Sequence, residues 1–349
     1  MRSSKIYQVL GNKVKKIAIF RALMLGDLMC AIPSIRTVRY SFPDAGIFLI
    51  GLPWSRNFTE RFNHYFDGFV EFPGYPGLPE RKTETKKVVN FLKQVQREKF
   101  DLALQMQGDG SIVNPLVDLF GAKVVAGYRL KGTYKDGDDM FLEYPAKLHE
   151  IKRHLALMEY LGLESRGVDL EFPVENCEQE GADRLLGSFG VENRKFVVIH
   201  GGARDERRRW KVEYFARMAD YIKDNGYAVV ITGSKEEREV TQNIKRLATI
   251  EVVDLGGKTN LGIFAGVLKR ARLVISNDTG TSHLVAALKI PSVIIFSPYS
   301  ELKRWAPLNK KIHKTVSASK SNNFEYVLEQ VAKSLKKKLP REVESYQKA

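Results

Sequence analysis

Short apolar runs alternate with stretches of helical spacing along most of this chain. The first run, Val14 to Phe20, is followed by a loop from Arg21 to Gly26 and then by apolar positions at Leu28, Met29, Ile32, Ile35 and Val38. Recurrence at roughly every third or fourth position places those side chains on one helical face, so the segment reads as strand, loop and helix. Pro33 lacks an amide hydrogen and crowds the preceding turn, which predicts a regular helix starting near Cys30 or a kink there. Further strands are expected at Ile47 to Ile50 and Leu102 to Gln105, with helices over Thr85 to Arg97 and His149 to Leu161.

The second half repeats the alternation more plainly. Apolar runs at Phe196 to Ile199, Ala228 to Thr232, Val252 to Leu255, Leu273 to Ser276 and Ser292 to Phe296 are strand-like. Between them lie helix-like stretches at Val212 to Asp224, Lys235 to Ala248, Gly262 to Lys269 and Thr281 to Leu288. Strict alternation of this kind predicts an α/β fold with mostly parallel, doubly wound sheets covered on both faces. Gly162 to Asn176 mixes glycine, proline and charge with little periodicity and divides the two halves. The expected organisation is a domain over residues 1–170, a second over 171–325, and a final helix with a basic tail over 326–349.

Composition narrows this picture in three ways. A hydrophobic content of 44% over 349 residues supplies enough apolar material for two packed interiors. No apolar run approaches the roughly 20 residues that cross a bilayer, and the first residues lack a signal-peptide core, so a cytoplasmic protein is expected. Cys30 and Cys177 stand alone, which excludes a disulfide framework and any cysteine-based zinc site and suggests two packing residues. A formal net charge of +15 implies an anionic partner. Part of that excess sits at Lys333, Lys336, Lys337 and Lys338, a solvated helix face or a patch for an anionic inner leaflet. Nucleic acid is not expected, because an aromatic-rich binding module is missing.

Ligands of open α/β sheets gather beyond the carboxyl ends of the strands, so the residues after each run carry the chemistry. Leu25-Gly26-Asp27 follows the first strand; an aspartate there serves as a helix cap or as a general base. His200-Gly201-Gly202-Ala203-Arg204, running on to Arg207-Arg208-Arg209-Trp210, offers backbone amides and permanent positive charge for a diphosphate. In Thr232-Gly233-Ser234-Lys235-Glu236-Glu237, a glutamate just past a strand can accept two ribose hydroxyls or simply suit a helix start. Ser276-Asn277-Asp278-Thr279-Gly280-Thr281-Ser282-His283 is the most specific segment, since small residues opening a helix aim unpaired amides at an anion. Asp136-Gly137-Asp138-Asp139 has the D-x-D form of a metal site but sits in a polar loop, which favours a solvated turn and no metal.

With these residues in view, the chain resembles glycosyltransferase family 9, the heptosyltransferases of lipopolysaccharide core assembly. Arg21-Ala22-Leu23-Met24-Leu25-Gly26-Asp27 with Pro33 and Arg36 is similar to the family's opening loop and helix. Ser276 to His283, followed by Leu284-Val285-Ala286-Ala287-Leu288, is similar to its D-T-G-x-x-H-L-A-A-L signature. The resemblance implies a GT-B fold of two Rossmann-like domains facing across a cleft, and inverting transfer without metal or cofactor. It further implies Asp27 as the catalytic base. Gly201, Gly202, Arg208, Glu237 (or Glu236, one register away), Asp278, Thr279, Gly280 and His283 would hold the nucleotide sugar, with ADP-heptose favoured. Arg208 departs from the family, whose better-known members carry lysine two residues before the tryptophan. A phosphorylated glycan or glycolipid acceptor would suit Arg56, Arg61 and Arg129, and the enzyme is expected to be a monomer. Two alternatives stay open, a sugar-nucleotide epimerase of the same architecture and a non-catalytic binder of anionic polymer.

Overall fold

The computed structural model describes residues 5–11 and 14–336, so Lys337 and Lys338 of the basic tail lie outside it. The chain divides after Asp169 into two compact units. In the first, the strands are β1 (Lys16–Phe20), β2 (Gly46–Gly51), β3 (Gly68–Glu71), β4 (Leu102–Gln105), β5 (Val124–Arg129) and β6 (Phe141–Glu143). Its helices are α1 (Lys5–Leu10), α2 (Leu25–Ser41), α3 (Ser55–Arg61), α4 (Thr85–Arg97), α5 (Val113–Asp118) and α6 (Glu150–Tyr160). The strands pair in parallel in the order β3-β2-β1-β4-β5-β6. Parallel neighbours need a crossover between them, and the helices supply it while covering the faces. Between β1 and β4 the strand order reverses, so the loops leaving these two strands diverge and open a crevice at their carboxyl ends.

Helix α2 starts earlier than its proline suggested. It runs from Leu25 without a break through Pro33, and the amide of Leu28 already bonds to Met24. The reason is burial: Leu28 to Ile35, Thr37 and Val38 are all interior, and that packing outweighs one missing backbone bond. The turn left between β1 and α2 is only Arg21 to Met24.

In the second unit the strands are β7 (Phe196–His200), β8 (Ala228–Thr232), β9 (Val253–Asp254), β10 (Leu273–Asn277), β11 (Ser292–Ile295) and β12 (His313–Val316). The helices are α7 (Asn176–Gly187), α8 (Val212–Asp224), α9 (Arg238–Leu247), α10 (Leu261–Arg270), α11 (Gly280–Ala287), α12 (Leu302–Trp305), α13 (Ala318–Ser321) and α14 (Phe324–Leu335). The order β12-β11-β10-β7-β8-β9, again wholly parallel, repeats the topology of the first unit and puts its switch point between β7 and β10.

The last helix belongs to this second core. Phe324, Val327, Leu328, Val331, Ala332 and Leu335 pack with the sheet and with Trp210, while Lys333 is exposed and pairs with Glu329 one turn back. What α14 offers outward is therefore charge, because its apolar stripe is already covered. Cys30 is interior as expected, whereas Cys177 is exposed near the start of α7.

Candidate active site

At the second switch point one side chain ties the diverging loops together. Asn277, the last residue of β10, donates from Nδ2 to the carbonyl of Gly201 at 2.8 Å and accepts the Trp210 amide on Oδ1 at 2.9 Å. Trp210 is anchored in turn by its indole N–H to Ser321 O (2.6 Å) and by stacking on Phe324. The basic turn Glu206–Arg208 is thereby held over the sheet end rather than left as a free charge run.

Arg208 uses this support. Its Nη2 donates to the Asp278 carboxylate and, at 2.6 Å, to the Asp278 carbonyl, while Nε donates to Ser300 Oγ at 3.1 Å. Asp278 is almost wholly buried, and burial pushes its carboxyl above the usual carboxylate range, with Arg208 and Ser300 pulling the other way. The next residue, Thr279, is the N-cap of α11 with extended backbone and no capping bond from its side chain. Its Oγ1 is buried without a hydrogen-bond partner among the described residues. An orphan hydroxyl, unpaired first-turn amides and a fixed guanidinium thus meet at one helix start, an arrangement suited to an anion. Gly280 opens that helix and His283, one turn on, is buried edge-on to Trp305.

Beyond the ends of β7 and β8 lies a second group of polar side chains. Glu237 stands at the N-cap of α9, and its Oε2 accepts the Ser234 amide at 2.8 Å. A Cβ on Gly202 would come within 2.2 Å of that carboxylate, so a side chain here would push the Glu237 carboxylate out of its place. His200 Nε2 is 3.8 Å from Glu237 Oε2 and His200 Nδ1 is 3.1 Å from Thr232 Oγ1. Burial holds the His200 imidazole below the usual histidine range, and the Glu237 carboxylate works against that. Of the two glutamates, Glu237 is the one turned to the sheet end, and Glu236 is exposed.

In the first unit, Asp27 lies in the first turn of α2 and is partly exposed. It is not the cap: Met24 holds that position without a side-chain bond. Instead the backbone carbonyl of Asp27 accepts Arg21 Nε at 2.9 Å, and its Oδ1 is 3.8 Å from Arg21 Nη2. Arg56 and Arg61 share α3, with the Arg56 guanidinium 4.8 Å over the Phe69 ring. Arg129 ends β5 in a different part of the sheet and is occupied by Asp136 and the Phe141 carbonyl. The Asp136–Asp139 loop uses its carboxylates locally, Asp136 on Arg129 and the Gly132 amide, Asp138 on the Met140 amide.

Glu150 and Ser300 were not singled out from sequence, and Arg21 and Asn277 lay inside quoted motifs without a role of their own. Arg21 follows β1 directly, where the strand-end rule does point; Glu150 and Ser300 are brought in only by tertiary contact.

Two parallel sheets of this strand order, with an anion-suited helix start at one switch point and an accessible aspartate after the first strand of the other unit, define a glycosyltransferase of the GT-B class. Residues 88–334 match glycosyltransferase family 9 (heptosyltransferase), and the chain belongs to that family. It is 24% identical over 305 residues to the lipopolysaccharide core heptosyltransferase OpsX of Haemophilus influenzae, covering 84% of this chain and 82% of that one. It is 25% identical to the lipooligosaccharide heptosyltransferase 2 of Campylobacter jejuni, over 85% and 86% of the two chains. The solved structure of Escherichia coli ADP-heptose lps heptosyltransferase II superposes with a TM-score of 0.71 at 20% identity, over 92% and 98% of the two chains.

Proposed function

We propose that the enzyme transfers a heptose from ADP-heptose to a lipopolysaccharide core or related glycan, with inversion and without a metal ion. The second unit would hold the donor. Its diphosphate fits the start of α11, where Thr279 Oγ1, the first-turn amides and Arg208 meet, and Glu237 beside Gly202 would accept the ribose hydroxyls. The first unit would hold the acceptor, with Asp27 removing a proton from the hydroxyl that attacks the anomeric carbon. That attack forms the new C–O bond as the bond to the nucleoside diphosphate breaks. Charge building on the departing diphosphate is met by groups already fixed in place. Arg56 and Arg61 on α3 are acceptor contacts in this reading, and Arg129, paired with Asp136, supports its loop instead. The protein would work as a monomer in the cytoplasm, its outward charge on α14 touching the anionic inner leaflet.

The observation that carries the reading is the buried, unpartnered Thr279 hydroxyl beside the Arg208 guanidinium. Membership of family 9 favours transfer over epimerisation or passive binding. The test is a melting-temperature screen with ADP-, UDP-, GDP- and CDP-sugars, followed by transfer from the best donor to truncated lipopolysaccharide cores. ADP-heptose should raise the melting temperature most and be consumed only when acceptor is present. Donor turnover without acceptor, or no response to any ADP-sugar, would overturn it.

A further inference from the structure

The first unit buries a cluster of charge next to Asp27 that the transfer chemistry above does not use. Arg21 and Arg153 are each 1% exposed and Glu150 3%. Arg21 reaches three separate segments: Nε bonds to the Asp27 carbonyl on α2, Nη1 to the Met106 carbonyl after β4, and Nη2 to Glu150 Oε1 on α6 at 3.1 Å. It therefore bridges the β1–β4 switch point, as Asn277 bridges the other one. Glu150 is held from its far side by Arg153 Nη1, and His154 Nε2 lies 3.2 Å from its Oε1. Arg153 is fixed by the carbonyls of Ala146 (3.1 Å) and Leu148 (3.3 Å), and the Tyr128 hydroxyl sits 2.9 Å from His154 Nδ1.

Stability alone does not call for such a cluster. Apolar side chains of similar volume would fill the space without the desolvation penalty of two guanidinia. Its charges are also unequal: two guanidinia face one glutamate, and His154 is neutral near pH 7 because burial lowers it to about 4. The excess positive charge lies at the Arg21 end, 3.8 Å from the Asp27 carboxylate.

We infer that Arg21 is a positioning residue for the transfer reaction, fixing the Asp27 carboxylate in place and in charge by anchoring the start of α2 to β4 and α6. The inference rests on the reading of Asp27 as the base. Arg21 acts through Asp27 and through the register of the first turn; it touches neither sugar in this scheme.

Arg21→Gln leaves the buried Glu150 carboxylate with its Arg153 partner, one negative charge against one positive, so this single variant is the informative protein. Transfer from ADP-heptose to truncated lipopolysaccharide cores is measured with this variant, with Arg21→Lys and with Asp27→Asn, alongside melting temperatures. Arg21→Gln should stay folded yet lose about 100-fold in kcat, with the donor KM changed by less than about twofold. Arg21→Lys, which keeps a cation at that point, should recover at least about tenfold of that loss. Wild-type kcat in Arg21→Gln, while Asp27→Asn is inactive, overturns the role of Arg21 and leaves the base assignment standing. Full activity in Asp27→Asn overturns the base assignment and the inference with it.

Discussion

Arg208 is an arginine where lysine was expected from the resemblance, and its geometry shows what the exchange does. A guanidinium can bond Asp278 and Ser300 at once and still present Nη1, whereas an ammonium is a single point of charge. Arg208→Lys should therefore fold normally but weaken donor binding about tenfold, read as donor KM or as the shift of melting temperature with ADP-heptose. Arg208→Ala should in addition cost about 3 kcal/mol of stability in denaturant titration, since the Asp278 carboxylate is left buried with Ser300 but without its positive partner. An alanine scan in which both variants bind donor like the wild type would remove Arg208 from the site. Gly202→Ala makes a sharper steric test. The added methyl meets the Glu237 carboxylate, so donor KM should rise by about an order of magnitude with little change in kcat.

The helix start at Thr279 allows a prediction whose two halves have opposite signs. Removing a buried hydroxyl that lacks a partner costs the free protein nothing, so Thr279→Val should melt at or slightly above the wild-type temperature. The same change should weaken donor binding about tenfold, because the hydroxyl would bond the diphosphate. Equal donor affinity in calorimetry would assign the orphan hydroxyl to no ligand. Asn277→Ala works the other way: it leaves the Gly201 carbonyl and Trp210 amide unpaired, so both stability (about 2–4 kcal/mol) and donor affinity should fall together. Pattern reading found α8 to α11 and the central strands of the second unit almost at their true bounds but not α7, and the strands were legible because one between two others is covered on both faces and reads as a continuous apolar run. It missed β3, β6 and β12, which edge their sheets and, like His313–Val316, mix polar and apolar residues, and it also missed the inner strand β5, whose Gly127 and Arg129 interrupt the apolar run. At Pro33 a local rule gave way to burial of the whole helix.

For the molecule as a whole, three interior histidines, His154, His200 and His313, are held below their usual range by burial and make stability depend on pH. Burial lowers His154 in the first unit and His313 in the second to about 4, against about 6.5 unfolded. In that window the unfolded chain binds more protons, so stability falls as pH drops below about 6.5 and the loss is complete near 4. His154 and His313 should each account for about 2 kcal/mol by pH 5, and urea titrations between pH 7 and 5 in His154→Gln should show a shallower decline. An unchanged slope would mean that His154 is not titrating in the unfolding step. At this scale the amino-acid order alone determined much: two alternating α/β halves, the division near Asp169, the anion-seeking segment at Asp278 to Gly280, and the candidate base after β1. These are local facts, written in periodicity and in which residues follow a strand. Tertiary structure decided the rest: that Glu237 rather than Glu236 meets Gly202, that Arg208 clasps Asp278 and Ser300, and that Glu150 reaches Arg21 from far along the chain. Such pairs are set by how sheets and helices pack, which brings together side chains that no spacing along the sequence connects.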